Sequence, residues 1–96
     1  MKTALNPTEV EKILKAHPHW KLDDGKLIRD WTFVDFAAAM SFVNQIAALA
    51  EHVGHHPDLD IRYNKVRLGL VSHDAGGITR RDASMVEKID LQSPTW

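Results

Sequence analysis

The chain has 96 residues, with 12 lysines and arginines against 13 aspartates and glutamates, and it contains no cysteine. A net charge of −1 with interspersed signs argues against a nucleic-acid-binding surface, and the lack of cysteine excludes disulfides, zinc thiolates and a cysteine nucleophile. Because no apolar run is long enough for a signal peptide or a membrane span, we expect one cytoplasmic domain over residues 1–96, without membrane contact.

The first predicted element is a helix in the segment LNPTEVEKILKAHP. Asn6 can cap this helix, Pro7 suits its first position, and Glu9 stands where a capping-box acid belongs. Pro18 ends the segment. A hairpin is predicted next, because Asp24-Gly25 supplies the positive backbone angles that a two-residue turn needs. One face of its return strand carries Leu27, Arg29, Trp31 and Phe33.

The central segment DFAAAMSFVNQIAALAEHVG predicts a long helix. Asp35 can cap its start, Gly54 can end it in a left-handed conformation, and Pro57 prevents it from continuing. The apolar residues at helical spacing, which we expect to be buried, are Phe36, Ala39, Met40, Val43, Ile46, Ala47 and Ala50.

A second hairpin and a last helix complete the chain. The hairpin is predicted to turn near Asn64-Lys65, with Leu59, Ile61 and Tyr63 alternating along its first strand. Thr79 and Asp82 have the spacing of a capping box at the start of the last helix. The expected fold class is α+β, a four-stranded antiparallel sheet with three helices packed on one face, in the order α-β-β-α-β-β-α.

The histidines are the main candidates for chemistry. His55 and His56 stand side by side between Gly54 and Pro57, where the central helix must end and a loop can present functional groups. His73 stands at the far end of the strand that pairs back from Tyr63, and the predicted register brings it towards the adjacent pair. The sequence therefore predicts three imidazoles around one small hollow.

Three interpretations of this cluster compete. Histidines near a helix C-terminus interact favourably with its dipole, so the residues can be surface groups without a function. Three imidazoles can also hold zinc, although no HExxH spacing occurs and adjacent histidines point in different directions. General acid–base catalysis is the third interpretation, because histidine titrates near neutral pH. We treat the remaining histidines as surface residues: His17, His19 and His52.

The pattern resembles the pterin-4a-carbinolamine dehydratase family from about Trp20 to Ile89. The run YNKVRLGLVSHDAGGITRRD is similar to the hairpin and last-helix opening of that family. The residues that stand at the family spacings are Glu51, His55, His56, Pro57, Tyr63, His73 and Asp82.

The resemblance implies dehydration of a 4a-hydroxytetrahydropterin to the quinonoid dihydropterin, with His55, His56 and His73 as the catalytic residues and with neither a metal nor another cofactor. Asp82 is expected as a helix cap in preference to direct chemistry, whereas Glu51 either orients a histidine or lies exposed at the helix end. The residues that the resemblance places around the pterin are Pro57, Ser72, Asp74 and Ala75, besides His73.

Alternatives to the enzyme are compatible with the same fold. Members of this family also act as oligomerising partners of a transcription regulator, so a protein-binding module is the second hypothesis. DNA binding across the sheet is a third, which the balanced charge disfavours. Sheet edges and helix faces in so small a domain need covering, which predicts a homo-oligomer, either a dimer or a tetramer.

Overall fold

Three helices and four strands form the part of the chain that the structure, a computed structural model, describes, which is residues 3–92. Their order confirms the predicted α-β-β-α-β-β-α class. The elements are α1 (Pro7–Ala16), β1 (Lys21–Asp23), β2 (Lys26–Thr32), α2 (Phe36–Val53), β3 (Asp58–Arg62), β4 (Lys65–Leu70), a 3-10 helix (His73–Ala75) and α3 (Arg80–Gln92).

The strands form one antiparallel sheet in the order β1-β2-β4-β3, so β1 and β3 are its edges. Leu27 pairs with Leu70 and Asp58 with Gly69, which brings the start of β2, the end of β4 and the start of β3 to one end of the sheet. We call this end, where α2 leads into β3, the histidine end. The turn between β3 and β4 lies at the opposite end.

The helices cover one face of the sheet. Leu27 and Leu68 are buried on that face together with Val10 from α1, Ile46 from α2 and Val86 from α3. This packing confirms the predicted layer arrangement. Within residues 3–92, no helix has both the length and the apolarity that crossing a membrane requires.

The other sheet face carries paired charges. Arg67 of β4 lies opposite Asp30 of β2 and Asp60 of β3, and it donates two hydrogen bonds to Asp30 at 2.7 and 3.1 Å. These hydrogen bonds hold the pKa of Asp30 below its usual value of 3.8, so the carboxylate stays ionised at neutral pH and the ion pair is lost only when acid protonates Asp30.

The predicted helix ends are confirmed. The Asn6 side chain accepts a hydrogen bond from the Glu9 N–H at 2.9 Å, and the Asn6 N–H donates to the Glu9 carboxylate at 3.0 Å. Asp35 accepts from the Ala38 N–H at 2.8 Å, and Gly54 ends α2 at φ 71°. The first hairpin also turns as predicted, since Asp24 and Gly25 both have positive φ.

The buried face of α2 differs from the prediction. Phe36 is 51% exposed and Ala47 is also exposed, whereas Phe42, which the predicted stripe left out, is 1% exposed. The Phe42 ring lies 4.6 Å from the Trp31 ring and 5.2 Å from the Phe33 ring, measured between centroids. The aromatic side chains of β2 therefore decide which side of α2 faces the sheet. The buried residues of α2 are Ala39, Phe42, Val43, Ile46 and Ala50.

The second hairpin turns one residue earlier than predicted. Arg62 pairs with Lys65, so the turn is Tyr63-Asn64, with Tyr63 exposed at φ 55°. The predicted place of Tyr63 in the first strand is therefore wrong. The Asn64 side chain donates to the Phe33 carbonyl at 2.8 Å, and the Phe33 N–H donates to the Asn64 carbonyl at the same distance. These two bonds to the end of β2 fix the turn.

One carboxylate joins three distant segments. Asp90 near the end of α3 accepts hydrogen bonds from Trp20 Nε1 at 2.8 Å and from Arg29 Nη1 at 2.6 Å, and its second oxygen lies 2.7 Å from His17 Nδ1. Arg29 also lies over the Trp31 ring, 4.5 Å from its centroid. His17 is therefore part of a half-buried network, which contradicts its predicted place on the open surface.

Candidate active site

The end of α2 places the adjacent histidines. The Gly54 and His55 N–H groups both donate to the Ala50 carbonyl, at 2.9 and 3.2 Å, and the left-handed backbone at Gly54 turns the chain away from the helix axis. Pro57 then precedes the first residue of β3. His55 and His56 consequently occupy a short, fixed connection at the histidine end of the sheet.

His55 is bound to a buried carboxylate. Its Nε2 lies 2.6 Å from Asp82 Oδ1, and the two side chains are 12% and 0% exposed. The other oxygen, Asp82 Oδ2, accepts hydrogen bonds from the Ser72 hydroxyl and the Thr79 N–H, both at 2.8 Å. An ionised carboxylate accepts only, so it selects the imidazole form with hydrogen on Nε2 and leaves Nδ1 of His55 for another partner.

The network continues to Thr79, whose hydroxyl oxygen lies 2.8 Å from the Ser72 hydroxyl oxygen and accepts from the Arg81 N–H at 3.2 Å. One half of the predicted capping box is therefore present, the bond from the Thr79 N–H to Asp82, whereas the Thr79 hydroxyl accepts from Arg81 in place of Asp82. Ser72 is buried, and both of its hydroxyl contacts are to this network. Ser72 therefore meets Asp82, the shared partner of His55.

His56 forms a second histidine–carboxylate pair. Its Nε2 is hydrogen-bonded to Glu51 Oε2 in the last turn of α2. The two side chains are 63% and 77% exposed, in contrast to the buried His55–Asp82 pair. The imidazoles of His55 and His56, each bonded through Nε2, therefore differ strongly in solvent exposure.

His73 begins the 3-10 helix directly after Ser72 and is exposed. Within residues 3–92 its side chain has no hydrogen bond or ion pair. The residue before it, Ser72, is bonded to Asp82, the carboxylate that also binds His55. Asp74 accepts a hydrogen bond from Arg81 Nη2 at 2.6 Å, which raises the pKa of Arg81 above its usual range. Ala75 is half-buried, as is Pro57.

A hollow of about 360 Å³ lies directly beside His55, between the end of α2 and the part of α3 from Arg80 to Lys88. Its lining includes Arg80, Arg81 and Lys88, and none of the lining residues within 3–92 carries a carboxylate. His56 and His73 are not part of its lining. The predicted site residues therefore form two clusters, one around Asp82 and one at Glu51, with the 3-10 helix beside the first.

Sequence patterns did not reveal two members of this site. The Thr79 hydroxyl was expected only at the helix start; it reaches Ser72 because a bridge between Ser72 and Gly77 folds the loop back. Arg81 follows Asp74 by seven residues, but a loop lies between them, so this spacing did not predict that the two side chains meet. In residues 3–92, no group of three or more histidine, aspartate or glutamate side chains is placed to hold a metal ion.

Comparison with known proteins identifies the family of this chain. Residues 3–92 match the sequence model of the family described as Pterin 4 alpha carbinolamine dehydratase. Two relatives named "Putative pterin-4-alpha-carbinolamine dehydratase" are similar over 86 residues, which is 90% of this chain. The protein from Acidobacterium capsulatum is 52% identical, with 94% of its length covered, and that from Chloroflexus aurantiacus is 45% identical, with 92% covered.

Solved structures show the same fold. A Brucella melitensis protein described as a transcriptional coactivator/pterin dehydratase is 33% identical, with a TM-score of 0.86 over 93% of this chain and 97% of the other. A pterin dehydratase-like protein described as a RuBisCO assembly factor in the alpha-carboxysome has a TM-score of 0.62 over 80% of this chain and 89% of its own, and at 19% identity it shows the fold alone. On the match across residues 3–92 and the identity of its relatives, this chain belongs to the pterin-4a-carbinolamine dehydratase family.

Proposed function

We propose that this protein dehydrates a 4a-hydroxytetrahydropterin to the quinonoid dihydropterin by histidine acid–base catalysis. One observation carries the proposal. Two neighbouring imidazoles at the end of α2 are each hydrogen-bonded to a carboxylate of their own, His55 to the buried Asp82 and His56 to the exposed Glu51. Two imidazoles oriented independently at one place can supply the separate proton donor and proton acceptor that a dehydration needs.

The reaction needs one acid and one base. The C4a–O bond breaks as the leaving hydroxyl takes a proton from the acid, and water departs. The base removes the proton from N5, and the electron pair of the broken N5–H bond forms the C4a=N5 double bond. No electrons are gained or lost overall, so two imidazoles in complementary protonation states are sufficient for this chemistry without a metal or another cofactor.

The carboxylates orient the imidazoles for this exchange. Asp82 and Glu51 both bind Nε2, so proton transfer with the pterin takes place at Nδ1 of His55 and of His56. His73 supplies the third imidazole. Pro57, Asp74 and Ala75 border the bound ring in this proposal.

The remaining predicted contact residue, Ser72, has its hydroxyl engaged by Asp82 and Thr79. Ser72 therefore acts as a positioning residue that holds the partner of His55. Direct binding of the pterin through this hydroxyl would require it to give up one of those two contacts.

The test is a spectrophotometric assay of 4a-hydroxytetrahydropterin loss, run with and without a chelator. We expect His55→Ala, His56→Ala and His73→Ala each to lower kcat roughly 10²-fold or more, since one positioned proton transfer contributes about 10²–10⁴-fold. His52→Ala is the matched control, because His52 is an exposed histidine in the last turn of α2 and the variant should keep the full rate. Full activity in a folded His56→Ala protein contradicts its role, and loss of activity with the chelator contradicts metal-free chemistry.

We further propose that the protein is a homo-oligomer that covers the β3 edge. All five residues of β3 are exposed, and Leu59 and Ile61 lie on the helix-covered side of the sheet, next to Leu68 and Val66 of β4. An edge strand with unpaired backbone groups and apolar side chains is a natural place for a second chain to pair.

Light scattering after size exclusion tests this interface. We expect the wild-type protein to run as a dimer or tetramer and Leu59→Glu to run as a monomer, because burial of the introduced carboxylate is unfavourable. Leu22→Glu is the matched control, an exposed leucine on the opposite edge strand. A monomeric wild type at micromolar concentration overturns the proposal.

The same edge supports the second candidate function, a protein-binding module of the coactivator kind. The Brucella melitensis protein is described as both a coactivator and a dehydratase, and the exposed apolar edge of β3 offers a surface separate from the histidines. If association with a regulator is the function, Leu59→Glu abolishes it and His55→Ala does not. Dependence on the histidines alone favours the enzyme.

A further inference from the structure

The hollow beside His55 has an unusual charge for this chain. The whole sequence carries a net charge of −1, yet Arg80, Arg81 and Lys88 line this hollow of about 360 Å³, and no acidic side chain from the described part of the chain does. Two carboxylates lie close to these cations: Asp74 is bound to Arg81, and Asp82 is buried and already bound to His55, Ser72 and Thr79. The positive charge is therefore concentrated at one place, next to a proposed catalytic imidazole.

The spacing of these cations follows from α3. Arg81 and Lys88 are seven residues apart, about two helical turns or roughly 10 Å along the axis, so they lie on the same side of the helix. Ser84 lies between them and accepts a hydrogen bond from Lys88 Nζ at 2.7 Å. Arg80 is the first residue of α3. Together they form a row of donors that starts beside His55 and runs along the hollow.

Most of the donors in this row remain available. Arg81 uses one Nη2 hydrogen bond for Asp74, and Lys88 has a neutral partner in Ser84. Arg80 is exposed and forms no ion pair with any residue of 3–92. A guanidinium presents five N–H donors in a planar fork that matches the oxygens of a phosphate or a carboxylate. Such an anion would bridge Arg80 and Lys88, which have no carboxylate partner among residues 3–92, and the donors of Arg81 that Asp74 does not use.

We propose that the substrate is a pterin whose ring substituent carries an anionic group, a phosphate ester or a carboxylate, held by Arg80, Arg81 and Lys88. The proposal rests on the proposed function, since it takes His55 to face the ring. With Nε2 of His55 bound to Asp82, a ring that meets His55 extends its substituent into the adjoining hollow. The three cations are then specificity determinants that act on binding and leave the proton transfers unchanged.

Kinetics on matched substrates test the proposal. Three 4a-hydroxytetrahydropterins are compared at low ionic strength, with a neutral hydroxyalkyl, a phosphorylated, and a carboxylate-bearing substituent. We expect a lower KM for at least one anionic substrate at a similar kcat, and the two anionic arms identify which group is recognised. In Arg80→Gln/Lys88→Gln the KM advantage should fall roughly three- to twentyfold, from two partly exposed charge contacts. Added salt should reduce it in the wild type.

A second double variant supplies the control. Lys12→Gln/Lys15→Gln removes the same two charges from α1, away from the hollow, and should leave all three KM values unchanged. Equal KM values for neutral and anionic substrates in the wild type overturn the proposal, as does an equal loss in both double variants, which would reflect net charge alone.

Binding without turnover separates this proposal from the proposed function. Fluorescence titration with the oxidised, non-reacting neutral and phosphorylated pterins gives a Kd whether or not the protein is catalytic. Tighter binding of the phosphorylated pterin, lost in Arg80→Gln/Lys88→Gln, supports the ligand class even if no dehydration occurs. If every substrate is dehydrated without such a preference, the proposed dehydratase activity stands and the proposed specificity for an anionic substituent is wrong.

Discussion

At the scale of single residues, Asp82 shows that capping and orienting a histidine are compatible tasks. The capping box of α3 is visible in the sequence and suggests that the carboxylate serves the helix alone. Its two oxygens diverge, however, and Oδ2 serves the Thr79 N–H while Oδ1 serves His55. Asp82 is fully buried, so each of these bonds is shielded from competing water.

Asp82→Asn should separate folding from chemistry when it is compared with Ser72→Ala. The amide cannot accept at both positions, so we expect a loss of about 2–3 kcal/mol in the free energy of unfolding and a fall of roughly 10²-fold in kcat. Ser72→Ala removes one bond to Oδ2 and keeps the His55 contact, so it should lower stability more than kcat. Denaturant titration and assays at equal folded concentration measure both. An unchanged kcat in folded Asp82→Asn rules out this orienting role.

At the scale of elements, the end of α2 sets the positions of His55 and His56. Gly54 lies at φ 71°, and a Cβ added there meets no atom within 4 Å, so a side chain is opposed by the backbone angle alone. Gly25 in the first hairpin has φ 73° and equally open surroundings. The two glycines are thus matched in strain, but only Gly54 is succeeded by histidines.

Gly54→Ala and Gly25→Ala should therefore be equally destabilising and functionally different. Each is expected to lower the free energy of unfolding by about 1 kcal/mol, because an L side chain in the left-handed region is strained. Only Gly54→Ala should also lower kcat, since His55 and His56 come directly after it. Gly54→Asn should recover part of both losses, because asparagine tolerates this backbone better. Equal kcat values in the two alanine variants would argue against control by the helix end.

Local signals explain which elements the sequence revealed. Caps, tight turns and alternation depend on residues a few positions apart, so α1, the first hairpin and the bounds of α2 follow from the chain itself. The buried side of α2 does not, since the apolar residues of that helix allow more than one orientation. Contacts of Phe42 with Trp31 and Phe33 choose between them, and these contacts exist only after the sheet has formed.

The candidate site, like the fold, could be predicted from the sequence only in part. Adjacent histidines before a proline point to the end of α2, the predicted hairpin register added His73, capping-box spacing singled out Asp82, and the resemblance added Glu51. Which carboxylate meets which imidazole depends on how α3 lies against α2, a relation that no spacing in the sequence encodes. The hydroxyl of Ser72 illustrates this: expected at the pterin, it is bonded to Asp82 and Thr79.

At the scale of the whole molecule, Asp90 links the two ends of the chain. It joins α3 to His17, Trp20 and Arg29, segments 61 to 73 residues away in sequence. Arg29 is buried on the covered face of the sheet, so its charge depends on this one carboxylate among residues 3–92. Removing one partner of such a pair leaves the other without compensation.

Asp90→Asn should consequently destabilise the fold without changing the chemistry. We expect a loss of about 3 kcal/mol in the free energy of unfolding and an unchanged kcat for the folded fraction, because Asp90 is two helical turns from Asp82. Glu87→Gln, at an exposed carboxylate of the same helix, is the control and should leave stability nearly unchanged. Thermal denaturation followed by circular dichroism measures the difference. Equal melting temperatures for both variants contradict the proposed contribution of the Asp90 hydrogen bonds to stability.

The turn at Tyr63-Asn64 has a practical consequence. It lies at the end of the sheet remote from the histidines, about 20 Å along β3 from His56, and Tyr63 is exposed there. A fluorophore or a short epitope attached at this position lies away from the histidine end of the sheet and leaves that end clear. The opposite hairpin, at Asp24-Gly25, shares its end of the sheet with the imidazoles, so a probe placed there would crowd them.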